Sequence, residues 1–252
     1  MSLETIRRDG VCELRIDTPP GNVMDRELCI ELAAAIRDAA QDPSLKAFLF
    51  TAAGKHFSYG ASVPQHVVGE VEKFLPAFHD IFYALIESSV PTVAAVRGLC
   101  LGGAFELTAF ANTLIAERGA QFAVPEIALG VIPPVACAIL PWRLGGALSD
   151  EMILTGSKRR AEDGIAHRVC EPGELEATTQ AFLDECVLPR PAPVLRLAVR
   201  SARAPLHEAI LDRLPVLERV YLDELMALPE ANEGIAAFLE KRAPRWAEVS
   251  VK

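Results

Sequence analysis

Two isolated glutamates, Glu106 and Glu126, have the surroundings that acid–base chemistry requires. Glu106 is the only charged residue in the segment 98–116, and Glu126 is the only one in 119–142. Apolar surroundings penalise the charged form of a carboxyl and raise its pKa, as a general acid or base near neutral pH requires. The two glutamates flank the predicted strand Thr113–Ala116, so they could converge at one end of it. The alternative is one buried, hydrogen-bonded structural glutamate and one residue on a pocket rim.

Two loops of small residues could supply backbone N–H groups beside these carboxylates. Gly102-Gly103 precede Glu106 at the start of a predicted helix, where first-turn N–H groups are free to bind negative charge. Gly60-Ala61 follow a predicted strand in a comparable position. One N–H from each loop would make an oxyanion hole, although two ordinary tight turns would have the same residues.

Other kinds of chemistry have weaker support. Ser58, Ser62 and Cys100 are possible nucleophiles, but no G-x-S-x-G motif surrounds a serine. The loops do not match G-x-G-x-x-G, which disfavours a dinucleotide site. The six cysteines and five histidines are scattered without metal-ligand spacing, so we expect no metal and no disulfide framework.

The elements that must position these residues alternate between strand and helix in the first half of the chain, as in β-α-β units. Asp25 is the expected cap of the first helix. The predicted strands are Val11–Ile16, Ala47–Thr51, Thr92–Val96 and Thr113–Ala116, and the helices are Arg26–Ala40, Val71–Glu87 and Gly103–Ala111. Phe74, Phe78 and Phe82 repeat at helical spacing, which is more typical of core than of a ligand pocket.

The second half is predicted to be mainly helical. The expected helices are Leu148–Leu154, Leu175–Cys186, Pro193–Ser201, Leu206–Met226 and Asn232–Lys241. A composition change near 189–193 divides a core, residues 1–190, from a helical C-terminal subdomain, residues 191–252.

Composition narrows the classes of partner. The net charge of −9 and the pI near 5.2 argue against nucleic-acid binding, which needs clustered Lys and Arg. No apolar run reaches the roughly 18 residues of a membrane span, and the N-terminus shows no secretory signal. We therefore expect a cytoplasmic protein without membrane partners.

Five segments together resemble the enoyl-CoA hydratase/isomerase family, the crotonase superfamily. They are GKHFSYGAS (54–62), PTVAAVRGLCLGGAFELTAFAN (91–112), FAVPEIALGVIPP (122–134), LTGSKRRAEDGIAHRV (154–169) and EGIAAFLEKR (233–242). They occur in the family's order and span nearly the whole chain.

The resemblance implies an α/β fold with a ββα spiral core and a helical trimerisation region. It implies an acyl-CoA substrate, a homotrimer or dimer of trimers, and no cofactor besides the CoA of the substrate. Glu106 and Glu126 match the catalytic glutamate positions, and Ala61 and Gly103 match the oxyanion-hole positions. Further substrate-binding positions are Tyr59, Gly60 and Gly102, while Phe238 and Lys241 match positions that approach CoA from a neighbouring subunit.

Two departures from the family pattern concern the acyl group. Tyr59-Gly60-Ala61-Ser62 stands where Ala-Gly-Ala-Asp is frequent, and Pro133 and Pro134 begin a segment that is usually glycine-rich. Within the family this combination resembles the cyclohexa-1,5-diene-1-carbonyl-CoA hydratases of anaerobic aromatic degradation. The prolines predict a rigid apolar pocket wall that offers no N–H donors. The alternatives are a straight-chain enoyl-CoA hydratase of β-oxidation, an enoyl- or dienoyl-CoA isomerase, and a non-catalytic acyl-CoA-binding member.

Overall fold

The computed structural model describes residues 2–246, which contain a six-stranded sheet as their main layer. In spatial order its strands are β1 (Leu3–Arg8), β2 (Val11–Ile16), β3 (Ala47–Ala52), β4 (Thr92–Val96), β6 (Thr113–Glu117) and β9 (Arg168–Cys170). Strands β1 and β2 are antiparallel, and all later neighbours are parallel. Parallel pairing requires crossover connections, which here carry the helices.

The first hairpin adds a strand that the sequence analysis does not predict. Asp9 and Gly10, between β1 and β2, both have positive φ (51° and 80°), as a two-residue hairpin turn requires. The sequence of β1, LETIRR, is polar and mostly exposed, so it lacks a clear apolar pattern. It forms a sheet edge, where charged side chains also discourage pairing with another chain.

Helices cover both faces of the sheet. On one face lie α1 (Arg26–Ala40) and α2 (Val71–Ser88), packed on the alternate residues Leu14, Phe48 and Phe50. The predicted strand Val11–Ile16 and helix Arg26–Ala40 are confirmed with the same bounds, and Asp25 caps the helix by accepting the N–H of Leu28 at 2.8 Å. The other face packs on α6 (Leu175–Phe182) through a smaller apolar cluster.

A second, small sheet is the part of the fold that positions the site. It contains β5 (Leu99–Leu101), β7 (Gln121–Ala123) and β8 (Arg159–Arg160). Strands β5 and β7 are parallel, and an isolated parallel bridge joins Ser58 to Cys100 of β5. Successive turns of the chain therefore contribute one strand to the large sheet and one short extended segment to this layer.

The helical second half differs from prediction at two places. Segments 193–201 and 206–226 were expected as two helices, but α7 runs from Ala192 to Arg219 and continues through a π-helical turn, Val220–Leu225. Pro205 lies in the segment between the two predicted helices, yet it is accommodated inside α7, as is Pro215. Helix α4 (Pro134–Leu144) was not predicted.

The remaining helices are α3 (Gly103–Phe110), α5 (Gly146–Thr155) and α8 (Pro229–Leu239). Buried side chains of α7 and α8, such as Leu206, Ile210, Leu214 and Ile235, belong to the main core. In the range 2–246, none of the helices has both the length and the apolar character that crossing a membrane would require.

Candidate active site

Three loops meet at one edge of the small sheet because parallel segments precede all of them. Ala61 follows the segment bridged at Ser58, Gly103 follows β5, and Glu126 follows β7. The carboxyl ends of parallel strands share an edge, so the residues after them become neighbours. The sequence analysis expected convergence at an end of strand Thr113–Ala116; the pairing of β5 with β7, two strands that it did not predict, provides it instead.

Two glycines allow the loops to approach each other closely. Gly60 has φ +96°, and a Cβ there would lie 2.6 Å from the carbonyl oxygen of Leu101. Gly102 has φ +51°, and a Cβ there would lie 2.6 Å from Oε1 of Glu126. Both have a positive φ that favours glycine; a side chain at 60 would collide with backbone, and one at 102 would displace the Glu126 carboxylate. The glycines therefore set the spacing between the loops.

The N–H groups of Ala61 and Gly103 are free donors at this junction. Neither donates a hydrogen bond to another residue in the described part of the chain. A Cβ built on Gly103 would lie 3.6 Å from the Cβ of Ala61, so the two backbones are adjacent. Gly103 opens α3, whose first-turn N–H groups have no intrahelical acceptor. The arrangement can bind an oxygen that carries negative charge.

Glu106 lies in the first turn of α3, a helix whose eight residues are all buried. Its Oε1 accepts the backbone N–H of Ala136 at 2.6 Å, in the first turn of α4. A helix N-terminus stabilises an anion, so this bond opposes the cost of burial. The prolines themselves have no N–H to donate, but they begin helix α4, whose amide at Ala136 is the donor to Glu106.

Glu126 has a less supported carboxylate. It lies in the 3₁₀ segment Pro125–Leu129. Although part of the residue reaches the surface, its Oε2 is buried and has no hydrogen-bond partner within residues 2–246. Burial raises the pKa of Glu126, while a backbone hydrogen bond opposes the rise. Burial and then the nearby charge of Glu126 raise the pKa of Glu106, against the N–H groups of Ala136 and Val135.

A cavity of about 20 Å³ joins the two carboxylates, which is room for about one water molecule. We call it the carboxylate cavity. It is lined by Ala61, His66, Phe74, Leu75, Phe78, Gly103, Glu106, Glu126, Val131, Ile132, Pro133, Pro134 and Tyr221. Phe74 and Phe78 belong to the core and also line the cavity. Phe82 does not line it; its ring packs edge-on against that of Phe78, with 5.4 Å between the ring centroids.

Five predicted substrate-binding residues do not line this cavity. Gly60 and Gly102 lie behind its wall and shape the loops. Tyr59 is 47% exposed, and its ring covers Gly21. Phe238, 53% exposed, and Lys241 lie on the surface around the end of α8. These three are placed where only a ligand extending beyond the cavity, or another subunit, would meet them.

Sequence reasoning missed Tyr221 and His66. Tyr221 continues the apolar stripe of α7, formed by Leu206, Ile210, Leu214 and Leu217 at helical spacing. Its hydroxyl was the available signal, because it is the one polar group on that stripe. His66 Nδ1 contacts the carbonyl oxygen of Ser62 at 2.8 Å, and burial lowers its pKa.

A larger cavity of about 340 Å³ lies on the face of the six-stranded sheet that packs against α6, opposite the face covered by α1 and α2. We call it the arginine cavity, after Arg8, Arg15 and Arg97 in its lining. Each of these arginines has a carboxylate partner: Glu13 at 3.6 Å from Arg8, Glu4 at 3.7 Å from Arg15, and Glu117 and Glu176 beside Arg97.

The chain is similar over nearly its whole length to proteins of one family, in sequence and in structure. The sequence model of a family described as enoyl-CoA hydratase/isomerase matches residues 7–249. The chain is 38% identical to a cyclohexa-1,5-dienecarbonyl-CoA hydratase of Thauera aromatica, over 96% of this chain and 95% of that protein. It is 30% identical to a carnitinyl-CoA dehydratase of Proteus mirabilis, over 97% and 98% of the two chains. A crystal structure of an enoyl-CoA hydratase/isomerase from Pseudoalteromonas atlantica has a TM-score of 0.84 at 27% identity, covering 98% of this chain and 100% of that chain.

Proposed function

Because the chain belongs to the enoyl-CoA hydratase/isomerase family and is a hydro-lyase of acyl-CoA thioesters, we propose that its substrate is a cyclic dienoyl-CoA of anaerobic aromatic degradation. The observation that carries the proposal is the pair of buried glutamates around room for one water, beside two free N–H groups. The likeness to the Thauera hydratase, whose name specifies cyclohexa-1,5-dienecarbonyl-CoA, supports the cyclic acyl group.

In the proposed reaction, the N–H groups of Ala61 and Gly103 bind the thioester carbonyl oxygen. Negative charge moves onto that oxygen when the conjugated system is attacked, so donors aimed at it stabilise the transition state. The thioester itself withdraws the electrons. The proposed chemistry therefore requires no resident cofactor or metal, and CoA is part of the substrate.

Glu106 and Glu126 exchange protons with water and substrate in this proposal. One carboxylate takes a proton from water as the water oxygen bonds to the conjugated carbon. The other, protonated, gives its proton to the carbon that becomes saturated, so the net change is addition of one water. Raised pKa values in a coupled pair favour a state with one proton between them, which such a reaction needs.

The wall formed by Pro133 and Pro134 supports a ring as the acyl group. Both prolines are buried, and a proline wall is rigid and cannot donate hydrogen bonds from its own nitrogens. Phe74 and Phe78 line the cavity as well. A flat carbon ring offers no hydrogen-bond partners and suits such apolar surroundings.

The test is a substrate comparison. We expect kcat/KM for cyclohexa-1,5-diene-1-carbonyl-CoA to exceed that for crotonyl-CoA at least about tenfold, since one mismatched group is worth roughly 1–3 kcal/mol. Equal or faster hydration of crotonyl-CoA would contradict a cyclic acyl group and indicate a straight-chain enoyl-CoA as the substrate. A shifted double bond without water uptake would indicate an isomerase, and binding without turnover a non-catalytic member.

We also propose a homotrimer or a dimer of trimers in which Phe238 and Lys241 of one subunit approach the CoA of another. Large apolar side chains are exposed on the late helices: Val194, Leu197, Leu211, Val216, Phe238 and Leu239. Lys241 would meet a CoA phosphate as a charge-assisted donor. Light scattering at micromolar concentration should give a mass that is a multiple of three chains, and a monomer would contradict the assembly.

A further inference from the structure

Tyr221 contributes a buried hydroxyl to the carboxylate cavity from the other end of the chain. It lies in the π-helical turn that follows α7 and is 1% exposed. Its hydroxyl has no hydrogen-bond partner among the residues that the structure describes. Burial, then the charges of Glu126 and Glu106, raise its pKa far above the usual value, so it stays protonated and is available as a hydrogen-bond donor.

Two buried polar atoms without a partner in residues 2–246 therefore share one small cavity: the hydroxyl of Tyr221 and Oε2 of Glu126. Leaving a buried polar group without a hydrogen bond costs stability, and such groups are rare in folded proteins. They do not bond to each other. One oxygen placed between them that accepts from the phenol and donates to the carboxylate would satisfy both, and the cavity has room for about one.

The position of Tyr221 is fixed by its helix. Glu218 lies about one helical turn before Tyr221, and its Oε2 lies 2.6 Å from Nδ1 of His79, within hydrogen-bond distance. His79 lies on α2 and has no exposed surface. Helix α2 also carries Phe74 and Phe78 of the cavity wall. This contact ties the end of α7 to the wall, so the phenol is held at a defined place.

We propose that Tyr221 positions the oxygen that hydration adds to the substrate, a role that rests on the proposed function. Its O–H donates to the attacking water and then to the hydroxyl of the product. The water proton goes to a carboxylate of the glutamate pair, and Tyr221 keeps its own proton throughout. Tyr221 thereby favours water addition over simple proton movement along the acyl chain.

The test compares ligands with and without a hydroxyl for binding to protein with and without the Tyr221 hydroxyl. Binding of 3-hydroxybutyryl-CoA and of butyryl-CoA is measured by calorimetry for the wild type and for Tyr221→Phe. We expect the variant to bind the hydroxyacyl-CoA about threefold to tenfold more weakly, with unchanged affinity for butyryl-CoA, because only the first ligand offers an oxygen to the phenol. Tyr83→Phe on α2, a tyrosine that does not line the cavity, is the matched control and should leave both affinities unchanged.

Turnover separates positioning of the attacking water from a structural role. We expect Tyr221→Phe to lower kcat for hydration about tenfold or more with little change in KM, because the phenol contacts the water oxygen and not the bound acyl chain. Equal weakening of both ligands or wild-type kcat would overturn the inference. A wild-type enzyme that hydrates no conjugated acyl-CoA would instead defeat the proposed function, and the binding experiment would still report on Tyr221.

Discussion

The carboxylate cavity and the arginine cavity lie on opposite faces of one sheet and differ in how their charges are matched. The arginine cavity is large, about 340 Å³, and every arginine in it has a carboxylate partner. The carboxylate cavity is small, about 20 Å³, and within residues 2–246 neither glutamate forms an ion pair. Partly exposed charges that are paired cost little stability, whereas unpaired buried carboxylates cost stability and are candidates for chemistry. Charge balance therefore favours the carboxylate cavity as the candidate active site, although the arginine cavity is larger.

The largest expected contrast between the cavities is catalytic. Glu106→Gln and Glu126→Gln should each lower kcat for hydration by about 10²–10⁴, because each removes a positioned acid or base. Glu13→Gln makes the same change in the arginine cavity, where Glu13 accepts from Thr51 at 2.7 Å, and should leave kcat within about twofold. Calorimetric binding of butyryl-CoA should be retained in all three variants. Near wild-type turnover in either active-site variant would remove that glutamate from the mechanism.

Two glycines at positive φ give a second contrast between the cavities. Gly102→Ala and Gly54→Ala both place a side chain at positive φ (51° and 82°), which costs about 1 kcal/mol. The new methyl at 102 would collide with Glu126 Oε1, whereas at Gly54, in the arginine cavity, no atom lies within 4 Å in the described structure. We expect both variants to unfold at a lower temperature than wild type, but only Gly102→Ala to lower kcat, roughly tenfold. Equal kcat for the two variants would show that the spacing of the loops is unimportant.

The pH dependence of stability should also separate the cavities. A glutamate whose pKa is raised in the folded state binds more protons there than in the unfolded chain. The stability of the protein therefore falls as the pH rises from about 4.3 toward the folded pKa of that glutamate. Glu126→Gln removes this loss and should increase the free energy of unfolding at pH 8 by roughly 1–3 kcal/mol relative to wild type. At pH 4 the two proteins should be nearly equally stable. Urea unfolding of wild type, Glu126→Gln and Glu13→Gln across pH 4–8 measures this, and an unchanged slope for Glu126→Gln would contradict the raised pKa.

The smallest effect is expected for an ion pair of the arginine cavity. Arg97→Gln breaks contacts with Glu117 and Glu176, which are partly solvent-screened, and should cost no more than about 1 kcal/mol of unfolding free energy. High salt should reduce the difference further. Activity should remain at the wild-type level. A loss of activity comparable to that of the glutamate variants would mean that the two cavities are functionally linked.

Local patterns predicted the elements that have a clear period or cap. Strand Val11–Ile16 alternates, and helix Arg26–Ala40 has a cap at Asp25, so both were predicted to the residue. Strands β5 and β7 have three residues each, which is too short for a period to be recognised. The proline pair at 133–134 was interpreted as a rigid pocket wall, and the helix that begins there was not predicted, although proline is favourable at the first position of a helix.

The site was predictable where isolation or motif marked a residue. Glu106 and Glu126 stand alone among apolar neighbours, and the structure brings both to one cavity. Tyr221 has a similar isolation on an apolar stripe, but the stripe is typical of core and the glutamates lie about a hundred residues earlier, so the signal did not connect it to them. The donor at Ala136 was hidden too, since a backbone N–H carries no sequence signature.

The late position of Tyr221 has a consequence for biosynthesis. Glu126 leaves the ribosome first, and at about 5–20 residues per second the roughly 95 residues up to Tyr221 take a further 5–20 s to synthesise. During that interval the nascent spiral lacks the helix that closes its cavity. Newly made chains therefore pass through a stage in which both glutamates are present and the phenol is missing. Synthesis of the last helices is therefore the step at which the lining of the carboxylate cavity becomes complete.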